Sequence, residues 1–116
     1  MRVLGLVLAA VVLCSSTPVQ GQTYTNFGEG TASCGEWTEH HHPQQLAPRT
    51  AIQNSWLHGF LTAASLYRTG GPDFATPADS FGAIAWVSNY CRQNPLDNLA
   101  KAANALTNEL RRRIPN

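Results

Sequence analysis

Two cysteines 57 residues apart, Cys34 and Cys91, constrain this chain more than any other feature. Whether they pair depends on the compartment, and the start of the chain speaks to that. Met1-Arg2 is a short positive segment, Val3 to Leu13 is apolar, and Val19-Gln20-Gly21 places small or compact residues where a signal peptidase cuts, so residues 1–21 read as a signal peptide. The apolar run is too short for a spanning helix, which takes about 20 residues. Cys14 lies inside this leader after the bulky Leu13 and is left out of the pairing. A periplasmic or secreted destination is expected, and an oxidising compartment favours joining Cys34 to Cys91. In the chain-entropy view, closing that loop contributes about 4 kcal/mol. That is large beside the ~5–15 kcal/mol total stability of a small domain.

Cys91 sits in the stretch Tyr90-Cys91-Arg92-Gln93-Asn94-Pro95-Leu96-Asp97-Asn98-Leu99, where one helix reads as ending and the next as starting. Asn94-Pro95 followed by Asp97 has the form of a helix start: a capping side chain, a proline in the first turn and an acid behind it. The final helix then carries Leu96, Leu99, Ala102, Ala103, Leu106 and Leu110 at helical spacing, and it closes on Arg111-Arg112-Arg113, which suits the carbonyl end of the dipole. Thr76-Pro77-Ala78-Asp79 repeats the same grammar and predicts a helix to about Arg92. Its core side would hold Phe81, Ile84, Val87 and Cys91, widened by Ala83, Trp86 and Tyr90.

From Arg49 or Thr50 another helix is expected, with Ile52, Trp56, Phe60, Ala63, Ala64 and Tyr67 as its inward stripe and Gln53, Asn54 and Arg68 away from it. Gly70-Gly71-Pro72 ends it. Gly59 inside costs about 1 kcal/mol relative to alanine, and the close approach of another helix, within the chain or across a dimer, is a physical reason for tolerating it. A short helix is expected near residues 31–39, capped by Thr31 or Ser33, with Glu36 in its first turn and Trp37 three residues after Cys34. His40 to Pro48 is a proline-bounded connection, and residues 22–32 read as a flexible lead-in. No alternating strand pattern appears after the leader. The fold class is therefore all-α: one disulfide-stapled bundle over residues 33–113, three main helices plus a short N-terminal one.

Charge excludes some functions. Without Arg2 the chain has seven basic and seven acidic side chains, so it offers no electrostatic attraction for nucleic acid or an anionic membrane. The run His40-His41-His42 lacks the spacing of a closed tetrahedral site and reads as a polar loop, so no metal or other cofactor is expected. There is no Gly-x-Ser-x-Gly elbow, and Ser55, Ser65, Ser80 and Ser88 fall inside expected helices without an obvious base. The chain reads as a non-enzyme. Trp37, Trp56, Phe60 and Trp86 lie on apolar faces, where core packing is their ordinary meaning and a surface that binds another protein is the functional one.

At Tyr90-Cys91-Arg92-x-Asn94-Pro95-x-x-Asn98-Leu99 the chain resembles the HdeA/HdeB family of small periplasmic proteins, the HdeB branch more closely. Ser33-Cys34 is similar to that family's first cysteine, and Trp56-Leu57-His58-Gly59 with Tyr67 and Gly70-Gly71 is similar to its central helix and stop. The resemblance runs from Ser33 to Leu106. It implies the same disulfide, a homodimer, and an ATP-independent acid-stress chaperone whose partners are unfolded proteins. A physical counterpart exists: full protonation of seven acids and four histidines takes the mature side-chain charge from zero to about +11. A second resemblance, to Rap1a/Tai-type immunity proteins, implies a non-enzymatic interaction module with one dedicated partner.

Overall fold

The computed structural model describes residues 23–43 and 47–115. The expected signal peptide lies outside the described residues, as does the middle of the His40–Pro48 connection. The described chain is all-helical: a 3-10 turn at Gly28–Thr31, then α1 at Cys34–His40, α2 at Pro48–Leu66, α3 at Ser80–Gln93 and α4 at Leu99–Arg112. Cys34 and Cys91 are joined with their Cα atoms 4.7 Å apart, tying α1 to the last turn of α3. The small disulfide-stapled helical bundle expected from the sequence is the observed architecture.

The core forms where α1, α3 and α4 converge under α2. Trp37, Leu57, Val87, Cys34, Cys91, Leu99, Ala102 and Ala103 are wholly buried. α4 supplies the most regular face, with Leu99, Ala102, Ala103, Leu106 and Leu110 inward, as the spacing predicted. Its alanines let α3 approach closely, while Phe74 from the loop after α2 is buried with the Arg111 guanidinium above its ring, 4.9 Å from the centroid.

Several local expectations are corrected. α2 buries Gln53, Leu57 and Leu61, one position on from the expected stripe of Ile52, Trp56, Phe60 and Tyr67. Ile52 and Tyr67 are exposed, and Trp56 and Phe60 are half-buried. The residues at 53, 57 and 61 lie about 100° around the helix from those at 52, 56 and 60, so the inward side is an adjacent face. Gly59 faces no neighbouring helix, since a Cβ built there meets nothing within 4 Å. Similarly, α3 buries Ala83, Val87 and Cys91 while Phe81 is exposed, and it is capped by Asp79, whose Oδ1 accepts from the Gly82 amide at 2.6 Å. Thr76-Pro77 belongs to a turn before the helix, closed by the Ala78 amide donating to the Ala75 carbonyl at 2.9 Å.

The same correction applies at Asn94-Pro95. Asn94 closes α3, with its amide and side-chain Nδ2 both donating to the Tyr90 carbonyl at 2.9 Å. A turn follows in which the Asp97 amide donates to the Asn94 carbonyl at 3.1 Å and Leu96 stands 99% exposed. α4 begins after Asn98, whose Oδ1 accepts from the Lys101 amide at 2.9 Å. Replacing Asn98 with alanine is therefore expected to lower stability by about 1 kcal/mol, read as a shift of the urea midpoint.

The lead-in also departs from its expectation. Residues 28–31 form a 3-10 turn packed on α2 and α4, and the Trp56 indole Nε1 donates to the Phe27 carbonyl at 3.0 Å. Gly30 lies directly under the Trp56 ring, where a side chain would collide with it. Glu29 and Arg49 then join the turn to α2 by a bidentate ion pair at 3.1–3.2 Å. The turn is ordered because a distant tryptophan covers it.

Candidate functional site: the cystine clamp and the apolar surface

The clamp assembles from short polar residues at helix ends. Ser33 caps α1 reciprocally: its Oγ accepts from the Glu36 amide at 3.1 Å, and the Glu36 carboxylate accepts from the Ser33 amide at 2.8 Å. The segment entering α1 runs antiparallel to the segment entering α4. The Cys34 amide donates to the Asp97 carbonyl at 2.8 Å, and the Leu99 amide donates to the Ala32 carbonyl at 2.9 Å, bridging Ser33 and Asn98. This isolated bridge was not legible in the sequence, since it joins two cap residues rather than two strands.

Beside it, the Asp97 carboxylate accepts from the Tyr90 hydroxyl at 2.6 Å and from Lys101 Nζ at 2.7 Å. Those two bonds hold Asp97 below the usual aspartate range, Lys101 contributing most. The bond to Asp97, with partial burial, pushes the Tyr90 phenol up to about 12. Three other carboxylates are held low in the same way. Glu36 is held by the Ser33 backbone, Asp73 by Ser65 and the Ala75 amide, and Glu109 by Arg113 and Arg112.

The four aromatics, read as core residues or as a surface that binds another protein, lie in different parts of the structure. Trp37 is wholly buried, with its indole Nε1 donating to Ser88 Oγ at 2.9 Å and its ring stacked on His41 at 3.7 Å between centroids. It belongs to the core. Trp86 is half-buried and stacks on Tyr90. Only Trp56 and Phe60 come together, stacked at 5.4 Å, and with Tyr24, Phe27 and Gly59 they line an open groove of about 380 Å³. Further exposed apolar side chains are Ile52, Leu66, Tyr67, Phe81 and Leu96. The sequence assigned most of these to the core, because large apolar residues at helical spacing ordinarily face inward.

The histidines fall into separate roles. His41 Nδ1 lies 2.9 Å from the Trp37 carbonyl and Nε2 lies 2.7 Å from Asn54 Oδ1, so this ring joins α1 to α2. His40 Nδ1 lies 3.4 Å from Oε1 of the buried Gln53. No group of three metal-ligating side chains converges among the described residues. His58 Nε2 reaches Ser80 Oγ at 2.8 Å on the wall of a groove of about 520 Å³ between α2 and the start of α3, a hydroxyl–imidazole pair that the sequence did not reveal. No carboxylate is bonded to the other nitrogen of that ring among the described residues, so the orienting acid of a triad is missing from the arrangement. No described helix is long and apolar enough to cross a membrane.

Set against known proteins, the chain matches no family model, no curated protein and no solved structure.

Proposed function

We propose that this chain is a small periplasmic or secreted protein that acts on other proteins by contact, as an ATP-independent acid-stress chaperone for unfolding clients. The observation that carries this reading is the placement of Asp97 beside the cystine. A link that acid can break lies next to one that acid cannot. Protonated Asp97 loses its ion pair with Lys101 and its role as a charged acceptor for Tyr90, while Cys34–Cys91 continues to hold α1 to α3. The apolar side chains already outside the core would supply the first contacts with a client.

The sign of the pH effect follows from depressed carboxylates. Glu36, Asp73, Asp97 and Glu109 titrate lower in the fold than in the unfolded chain. Their contribution is complete above the unfolded carboxylate values near pH 4 and is lost as pH falls through the folded ones. Urea midpoints are thus expected to be flat from about pH 7 to pH 5 and to drop below about pH 4, with Asp97→Asn removing part of that slope. The functional test is aggregation of an acid-sensitive client at about pH 3 with and without the purified protein. Suppression at a few-fold molar excess supports the chaperone role, and unchanged aggregation would sink it.

One observation favours a second reading, an immunity-like module with a single dedicated partner: the groove at Trp56 and Phe60 stands open in the folded state, without any acid trigger. Affinity capture at neutral pH separates the two readings. One stoichiometric partner supports the module, and the chaperone reading expects none at that pH.

A further inference from the structure

Ser80, which the sequence presents as a helix serine without a base, has one in the folded chain. Its Oγ lies 2.8 Å from His58 Nε2, a distance at which an imidazole can take a hydroxyl proton. The fold brings the two together from separate elements, His58 from the middle of α2 and Ser80 as the first residue of α3. Ser80 is exposed and His58 half-buried, so a molecule in the groove of about 520 Å³ beside them can reach the hydroxyl. Leu61, Leu66, Ala75 and Ala78 give that groove short apolar walls. Its charged side chains are each engaged with the protein. Asp73 accepts from Ser65 Oγ at 2.6 Å and from the Ala75 amide at 2.9 Å, Asp79 accepts from the Gly82 amide, and Arg68 donates to the carbonyls of Ser65 and Gly71. Apolar walls around one hydroxyl–imidazole pair suit a small uncharged substrate. Asp79 takes up only the Gly82 amide in the first turn of α3. The amides of Ser80 and Phe81 keep no acceptor within the helix and adjoin the hydroxyl as donors for a developing oxyanion.

We propose that Ser80 and His58 form a nucleophile–base dyad that hydrolyses small uncharged acyl esters. With the ring proton on Nδ1, His58 Nε2 accepts the Ser80 Oγ proton as Oγ bonds to the acyl carbon. The carbon–oxygen bond to the leaving group then breaks, and His58 hands its proton to that oxygen, releasing an alcohol and leaving acyl-Ser80. Water completes the cycle. His58 takes its proton as the water oxygen bonds to the acyl carbon, the bond to Oγ breaks, and the proton returns to Oγ with release of the carboxylic acid. An ester fits this pair better than an amide. No carboxylate orients the other nitrogen of His58 among the described residues, and an alkoxide leaves with less help from a proton than an amine does. The activity does not rest on the proposed chaperone role.

Hydrolysis of p-nitrophenyl butyrate by the purified, disulfide-intact protein at neutral pH tests it, together with labelling by diisopropyl fluorophosphate located by peptide mass spectrometry. The expected result is turnover with the label on Ser80. Ser80→Ala and His58→Ala should each lower the hydrolysis rate by at least about tenfold, and His58→Ala should slow the labelling of Ser80 by a similar factor. Neither residue belongs to the buried core, so both variants should keep their fold, as checked by circular dichroism. Ser55→Ala, which removes an exposed α2 hydroxyl bonded to the Ala51 carbonyl, should leave the rate unchanged. A purely structural bond between α2 and α3 predicts neither turnover nor label. A wild-type rate no higher than that of Ser80→Ala overturns the proposal. So does a label placed elsewhere or absent, a rate or labelling that His58→Ala leaves intact, or a rate that Ser55→Ala lowers equally.

Discussion

Replacing both Cys34 and Cys91 with alanine is expected to remove about 4 kcal/mol of stability. The loop they close spans 57 residues and contains all of α2 and most of α3, so the unfolded chain gains much conformational freedom when the bond is absent. In the folded state both cysteines are wholly buried between α1, α3 and α4, and their removal also leaves a void at the junction. Chemical denaturation of the oxidised wild type and the double variant measures the difference. A small domain has ~5–15 kcal/mol in total, so the variant should unfold at much lower urea or show no cooperative transition at pH 7. A midpoint equal to that of the wild type would mean that the antiparallel pairing of Ala32–Cys34 with Asp97–Leu99 holds the junction without the covalent bond.

Trp37→Ala should cost about 3–5 kcal/mol, the range for emptying the site of a buried large aromatic. Trp37 joins α1 to α3. It stacks on His41 at the end of α1, its indole hydrogen-bonds Ser88 on α3, and it belongs to the same buried cluster as Cys34 and Cys91. Trp37→Phe separates packing from hydrogen bonding. It keeps an aromatic ring in the site and strands Ser88, so a loss of about 1–2 kcal/mol is expected from the unmade bond and the smaller ring. Urea titration by circular dichroism reads both. If Trp37→Ala matched the wild type, the ring would have to be dispensable to the core, contrary to its complete burial.

These two effects involve residues whose structural importance was legible from the start. The cystine followed from the expected compartment and the count of cysteines, and Trp37 followed from its spacing to Cys34. The sequence left its role open between core and binding surface, and burial decides for the core. α4 was legible for a different reason. Leucines and alanines alternate with Lys101, Asn104 and Glu109, so only one face can go inward.

The orientation of α2 was misread because its pattern lacks contrast. Ile52, Trp56 and Phe60 compete with Leu57 and Leu61 for the interior, and no charged residue between 50 and 67 marks the outside. Packing settled the competition by placing the 3-10 turn over Trp56 and turning Gln53 inward beside His40. The caps were misplaced for a local reason. Asn94-Pro95 and Thr76-Pro77 have the form of helix starts, but a turn comes first in each case, and the side chains that cap are Asn98 and Asp79. Proline marks where a backbone donor is missing, and a turn tolerates that loss as readily as a first helical position does.

By itself, the sequence determined the all-helical class, the covalent tie between Cys34 and Cys91 and the inward face of α4, because each depends on local periodicity or on the chemistry of two residues. The rest was decided by tertiary structure. The bridge between Ser33 and Asn98, the Asp97 latch against Tyr90 and Lys101, and the outward turn of Ile52, Gly59 and Tyr67 all depend on which segments lie side by side. That juxtaposition is set by competition among apolar faces for a small interior, where residues distant in sequence decide the outcome.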